Sequence, residues 1–481
     1  MTARPLPADT PAAQGVDARG VEAFLDAVEA APGIEPHSLM IMRHGRLVAS
    51  GWWAPYTADR KHLLYSLSKS FTSTAAGLAV AEGLLDLDAP VVSYFPEFEA
   101  EITDPGSRGM LVRHVAAMAS GHVVDTLDAA LAVDPDEPVR GFLLLPPDRA
   151  PGTVFAYNQP ATYTLGAIVQ KVTGLSLTDY LRPRLLDPLG IGEVAWSQRP
   201  AGRDIAFSGL HATTDAVARL GQLYLRGGEW EGERLLPASW VAEATRAHVS
   251  NSDGTPEGAA SDWQQGYGFQ FWMSRHGYRG DGAYGQFCVV LPAYDAVIAM
   301  TAQTALMQDL LSLMWDHLLP AFGPEPLPDG EKADTALRER LAGLALPPLT
   351  AGPGVAVDRG AWSGAEFTPE GGRCAAQRSL TAAALTADTA GPGWTLTLTE
   401  DGTRLDLRFD GAGWTVADSP LPTATSAVWT DPDTLTADVA FLETPHHLLV
   451  TCSLPNRTFT ADWSTTPLTL GLLHTYQAPG N

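Results

Sequence analysis

The segment YSLSKSF, residues 65–71, places a serine hydroxyl and a lysine amine three positions apart at Ser66 and Lys69. On a helix that spacing brings two side chains to one face, about one turn apart. A serine hydroxyl is a weak nucleophile until a neighbouring base takes its proton. A lysine becomes such a base when burial and nearby positive charge lower its pKa, which an always-charged arginine cannot do. Only Lys61, Lys69, Lys171 and Lys332 among the 31 basic side chains are lysines, so a lysine at 69 stands out in a chain that prefers arginine. The flanks LLYSL and FTSTAAGLAVAEGLL are apolar and rich in small residues, which predicts a buried helix rather than a solvated amphipathic one. A nucleophile at the start of that helix would also have backbone N–H groups directed at a developing oxyanion.

Several elements must position this pair. Residues 16–31 have helical periodicity with Asp17 as N-cap, and two apolar runs around His44-Gly45 predict a β-hairpin. A buried helix is expected over 67–83, ending at Gly83, and further helices over 112–119, 161–173, 214–226 and 307–319. Short strands are expected at 267–273, 286–291 and 296–302. The pattern suits an α+β fold: an antiparallel sheet flanked by helices, its two halves drawn from the two ends of the region, with a helical subdomain between. A Pro-rich stretch, LPAFGPEPLPDG, and a short helix at 334–344 divide the chain into a first domain over 1–320, a linker over 321–354 and a second domain over 355–481. The last is Thr-rich with short alternating runs such as WTLTLTE and TRLDLRFDG, the signature of an antiparallel β sandwich or barrel.

The composition narrows the partners. The 481 residues are 45% apolar and 18% charged, ample for large cores, and the net charge is -24 with a pI of about 4.8. Such a surface repels phosphate backbones and anionic membranes, so neither nucleic acid nor membrane is an expected partner. Cys288, Cys374 and Cys452 are too few and scattered for a disulfide framework or a zinc site and read as buried thiols. MTARPLPADTPAAQG has no apolar stretch of a secretory signal, and no run approaches a membrane span; a cytoplasmic protein is the expectation. His114, His122 and His211 lack metal-ligand spacing and read as structural; no metal or cofactor is expected.

LLYSLSKSFTSTAAGLAVAEGLLDLDAPV (63–91), LVRHVAAMASGH (111–122), PGTVFAYNQPATYTLGAIVQKVTG (151–174), GLHATTDAVARLGQLYLRGG (209–228) and GYGFQFW with GDGAYGQF (266–287) together carry a resemblance. The chain resembles the serine β-lactamase and penicillin-binding-protein superfamily over about 20–320. The likeness is to its class C-like branch of esterases, D-aminopeptidases, nylon-oligomer hydrolases and peptide cyclases. The resemblance implies Ser66 as the acylated nucleophile, Lys69 as its partner, and Tyr157 as the phenol of a Tyr-x-Asn motif. Held as phenolate by Lys69, Tyr157 would take the serine proton or pass it to the leaving group. The motif departs from the family in reading Tyr157-Asn158-Gln159, so the substrate-binding amide is shared between Asn158 and Gln159. The third motif, usually Lys-Thr-Gly or His-x-Gly, is Gly280-Asp281-Gly282. It lacks the basic residue that binds a β-lactam carboxylate; Arg279 or His276 could compensate, while Asp281 would repel an anion. The resemblance places one oxyanion N–H at Ser66 and the other near Ala283, with Gly282 to Gln286 open to a substrate backbone. Trp52, Trp53, Trp263 and Trp272 serve either an apolar acyl pocket or the core.

The C-terminal domain resembles the lipocalin-like barrels attached to D-aminopeptidases and peptide cyclases. Three readings follow. The first is a hydrolase of a small ester, amide or peptide, with D-residues among the candidates, distinct from a true β-lactamase. The second is an acyltransferase that passes the acyl group to an amine, as in cyclases that release nonribosomal peptides. The third is a non-catalytic peptide-binding protein on the same fold.

Overall fold

The computed structural model describes residues 4–389 and 391–480. The chain forms two compact units. The first comprises residues up to Gly51 and Leu64–Ala342, the second Trp52–Leu63 and Gly343–Pro479.

In the first unit, helix α1 (Ala18–Ala30) starts where the Asp17 carboxylate accepts from the Arg19 N–H at 3.0 Å, and it buries Val21, Phe24, Leu25 and Val28. Strands β1 (Ile34–Arg43) and β2 (Arg46–Trp52) form the expected hairpin. Its two turn residues, His44 (φ 50°) and Gly45 (φ 78°), both sit in the left-handed region that matches the twist of paired strands. Next come helices α2 (Ser68–Ala81), α3 (Gln159–Thr173) and α4 (Thr214–Leu225). Strands β3 (Trp272–Ser274), β4 (Gly277–Gly282), β5 (Gln286–Leu291) and β6 (Ala296–Thr304) then complete a six-stranded sheet. Its order is β2-β1-β6-β5-β4-β3, so strands from the two ends of the unit meet where β1 pairs antiparallel with β6. Helix α4 packs on β1, β5 and β6, while α2 packs on α3. Helices α5 (Met307–Leu313) and α6 (Glu331–Ala342) follow, and α6 lies against α1.

Three expected elements are shorter than their periodicity suggests. The strand over 267–273 starts only at Trp272; Gly266 and Gln270 have positive φ, and Tyr267 bridges back to Trp272, so the segment turns on itself. The helix over 112–119 ends at Ala116, because Met118 takes φ 56°. The helix over 307–319 keeps α-helical form to Leu313 and continues to Leu318 as a wider turn.

In the second unit, nine strands form one nearly closed barrel. They are β7 (Ala365–Pro369), β8 (Leu380–Ala387), β9 (Trp394–Glu400), β10 (Thr403–Phe409), β11 (Thr415–Ala417), β12 (Thr423–Asp431), β13 (Thr434–Phe441), β14 (His447–Ser453) and β15 (Thr458–Trp463). The order is β10-β9-β8-β7-β15-β14-β13-β12-β11, with β10 lying against β11 and β12 to draw the ends together. Alternation sends Trp394, Leu396, Leu398, Leu407, Phe409 and Trp429 inward with Trp362, so side chains fill the interior. Cys288, Cys374 and Cys452 are buried free thiols. Among the described residues, no helix is long and apolar enough to cross a membrane.

One close contact ties the sheet to the start of α2. A Cβ built on Gly282, the last residue of β4, would lie 2.1 Å from the Leu64 carbonyl oxygen, and one on Gly280 would lie 2.8 Å from Ser70 Oγ. The third motif is therefore glycine-flanked because β4 passes against the helix start; the space expected there for a substrate backbone is occupied at Gly282 by Leu64. Gly282→Ala must displace backbone and is expected to cost roughly 1–3 kcal/mol. Urea unfolding checks this, and an unchanged midpoint would contradict the contact.

Candidate active site

Ser66 sits in a single tight turn, Tyr65–Leu67, that runs directly into α2. Tyr65 has φ 47°, a conformation that is costly for a side chain with a Cβ. The surroundings hold the turn in place. Ser68 Oγ donates to the Tyr65 carbonyl at 2.6 Å and accepts from the Leu210 N–H at 3.1 Å, and the Leu64 N–H donates to the Leu210 carbonyl at 2.8 Å. Ser70 Oγ donates to the Gln270 carbonyl at 3.0 Å, and Thr72 Oγ1 to the Ala206 carbonyl at 2.8 Å. The hydroxyl-rich stretch SLSKSFT thus works as a set of struts between α2 and the loops around it.

Lys69 lies one turn beyond Ser66 and is almost completely buried. Its Nζ is 3.0 Å from Ser66 Oγ, 2.7 Å from Gln159 Oε1 and 2.7 Å from the Phe207 carbonyl. It also lies 4.8 Å from the centre of the Tyr157 ring. Burial lowers the amine from its ordinary value to about 7, against the opposing pull of the negative charges on Asp125 and Asp281.

Tyr157 lies beside Ser66 and stacks on the Trp272 ring at 5.1 Å between ring centres. Burial raises its phenol well above the ordinary tyrosine value. Lys69 approaches the face of this ring rather than its oxygen, and burial favours the phenol over the phenolate that the family resemblance implies. Phe155 and Tyr267 extend the aromatic wall, 5.6 and 4.9 Å from Trp272 between ring centres.

The two amides next to Tyr157 separate. Asn158 is fully buried, accepts from the N–H and hydroxyl of Thr126 at 2.9 and 3.0 Å, and donates to Ser120 at 3.4 Å. It braces the 120–126 loop. Gln159 alone reaches Lys69, and its backbone N–H donates to Asp125 Oδ1 at 3.0 Å.

On β4, Arg279 and Asp281 form a buried ion pair at 2.7 Å. Arg279 also donates to the Asp262 carbonyl at 2.8 Å and to Ser274 at 2.5 Å, and its guanidinium lies 4.5 Å from the centre of the Trp263 ring. Burial raises the Asp281 carboxyl above the ordinary carboxylate range; Arg279 foremost, then Lys69, oppose this. Asp281 is therefore balanced by Arg279 rather than standing as a lone negative charge, and Nε and Nη1 of Arg279 are bonded to protein groups while Nη2 is buried without a partner among the described residues. The His276 ring is tilted against Trp315, 5.2 Å between ring centres. Ala283 occupies the turn between β4 and β5, where its carbonyl accepts from Gln286 at 3.1 Å.

The structure brings together Ser66, Lys69, Tyr157 and Gln159 and places Asp281 within electrostatic reach of Lys69. It adds two partners that the sequence reading missed, Phe207 through its carbonyl and Asp125 through its charge. A backbone carbonyl has no residue-type signature, and an exposed aspartate on a loop looks like any solvated charge. Trp263 and Trp272 cover Arg279 and Tyr157, and Trp53 is fully buried. His122 is held by Ser120 and the Leu145 carbonyl, His114 by the Leu111 N–H, and His211 by the Gly209 carbonyl.

The Beta-lactamase family matches residues 21–318. The 6-aminohexanoate-dimer hydrolase of Paenarthrobacter ureafaciens is 28% identical over 288 residues, 54% of this chain and 71% of that protein. Esterase EstB of Burkholderia gladioli is 29% identical over 218 residues, 40% of this chain and 55% of the relative. Among solved structures, a putative 6-aminohexanoate-dimer hydrolase from Bacillus anthracis superposes with a TM-score of 0.53 at 21% identity. That match covers 68% of this chain and 90% of the other.

Removing Arg279 would leave the buried Asp281 carboxyl without its cation. Arg279→Met is expected to destabilise the first unit by about 3–5 kcal/mol, and Arg279→Met with Asp281→Leu to recover part of that loss. Denaturant unfolding of the single and double variants provides the measurement.

Proposed function

The chain belongs to the beta-lactamase family, and from that premise we propose that it is a serine hydrolase that cleaves an ester or amide through an acyl-enzyme on Ser66. The observation that carries this reading is the set of contacts around Lys69 Nζ. A neutral amine has two N–H donors and one lone pair. Gln159 Oε1 and the Phe207 carbonyl can only accept, so they use both donors, and the lone pair is left for the Ser66 hydroxyl at 3.0 Å. An amine lowered to about 7 supplies this neutral form near physiological pH.

In the proposed reaction, Lys69 takes the Ser66 proton as Oγ attacks the carbonyl carbon. The N–H groups of Ser66 and Ala283 receive the oxyanion. Tyr157, whose ring lies beside Ser66 and under Lys69, gives its proton to the leaving oxygen or nitrogen, and the proton that Lys69 took from Ser66 restores it. Water then attacks the acyl carbonyl, again with Lys69 as base, and Lys69 returns that proton to Ser66 Oγ as the acid leaves. Gln159 holds Lys69 through its oxygen and offers its amide N–H groups to the substrate. The β4 side carries the Arg279–Asp281 pair in place of a free cation, which favours substrates without a carboxylate there and argues against a true β-lactamase.

A reactive phosphonate is expected to label the wild type and not Ser66→Ala, with intact mass reporting the adduct. On a chromogenic short-chain ester, Lys69→Arg is expected to lose about 10²–10⁴ in kcat, because a guanidinium cannot accept the proton. The wild-type kcat/KM is expected to rise with pH through about 7 and level off above it as Lys69 loses its proton. A profile flat across that range would exclude Lys69 as the base. A peptidyl thioester ending in a D-residue, analysed for cyclic against linear product, separates acyl transfer from hydrolysis.

A further inference from the structure

We propose that Val123 and Val124 form an apolar rest for an alkyl chain of the substrate at the mouth of the Ser66 site, and so set its chain-length preference. The inference rests on the reading of Ser66 as nucleophile. Val123 and Val124 are 50% and 62% exposed, the one consecutive pair among the exposed large apolar side chains of the described residues. A single exposed valine needs no explanation, but two in sequence within a fixed loop at a reactive centre do.

The loop is rigid. Arg149 donates its N–H to the Gly121 carbonyl at 2.9 Å, and the Val123 N–H donates to Asp148 Oδ2 at 3.1 Å. His122 is buried between Ser120 and the Leu145 carbonyl, and Asn158 binds both Ser120 and Thr126. The loop is also adjacent to the chemistry. Asp125, the next residue, accepts from the backbone of Gln159, whose side chain binds Lys69, and its charge acts on Lys69 directly. A loop already ordered by its own hydrogen bonds loses little freedom on binding, so the apolar surface it presents is available to a ligand.

An alkyl chain on these two side chains gains hydrophobic contact, which at full burial corresponds to about fourfold in binding per CH₂. The chain belongs either to the acyl group or to the leaving group, and two ester series separate them: p-nitrophenyl acetate, butyrate and hexanoate, and ethyl, butyl and hexyl acetate. Full-length wild type is expected to gain about two- to fourfold in kcat/KM per added CH₂ in one series. Val123→Ser with Val124→Ser is expected to flatten that slope, and Val123→Leu with Val124→Leu to keep or steepen it. A serine variant that retains the wild-type slope, or a wild type without a slope in either series, overturns the proposal while leaving the nucleophile assignment intact. Ester turnover that survives Ser66→Ala instead overturns the reading on which it rests.

Discussion

The structure of the first unit turns on keeping one lysine amine out of water. Moving the Lys69 amine from its ordinary value of 10.5 to about 7 corresponds to about 5 kcal/mol of lost preference for the ammonium form. Only a close-packed surrounding sustains that. Helix α2 provides it by burying every residue from Ser68 to Leu78 and Ala79. A helix buried on all sides has no solvent for its polar side chains, so Ser68, Ser70, Thr72 and Thr74 each bond to a backbone carbonyl. Those same bonds fix the Leu210, Gln270 and Ala206–Phe207 segments around the helix start. The burial that tunes the base also assembles the walls of the site.

Charge is arranged around that amine with similar economy. Asp125 and Asp281 favour the ammonium, and burial outweighs them. Arg279 limits the effect of Asp281 by pairing with it inside the protein. The buried pair is held by Asp262, Ser274 and the face of Trp263, which satisfies most of the guanidinium in a place with no water. The strand that carries the pair lies close to the Ser66 turn because two of its residues, Gly280 and Gly282, have no Cβ to hold it away.

The second unit follows a different logic. Its Thr-rich alternation puts polar atoms outward and rings inward, and the barrel encloses a core built around Trp362, Trp394 and Trp429 rather than an empty calyx. The buried Glu400 carboxylate there accepts from Gln377, Ser379 and the Leu473 N–H. The resemblance to ligand-carrying barrels therefore extends to architecture, while the interior is packed.

Local chemistry made much of this legible in the sequence. The Ser-x-x-Lys spacing, the apolar flanks of α2, the Asp17 cap, the His44-Gly45 turn and the period-two runs of the barrel are short-range patterns, and each leads to an element seen in the structure. The α+β order, with a sheet closed by strands from both ends of the unit, also follows from element order alone. What the sequence did not determine depends on atoms brought together from distant positions. The Phe207 carbonyl on Lys69, the split duties of Asn158 and Gln159, and the raised pKa of Tyr157 are set by distance and burial. The balancing of Asp281 by Arg279 depends on both side chains being removed from water together. Residue types named the candidate groups; the tertiary structure decided which of them face one another and which only hold the frame, because pKa and hydrogen-bond partners depend on surroundings that no local pattern encodes.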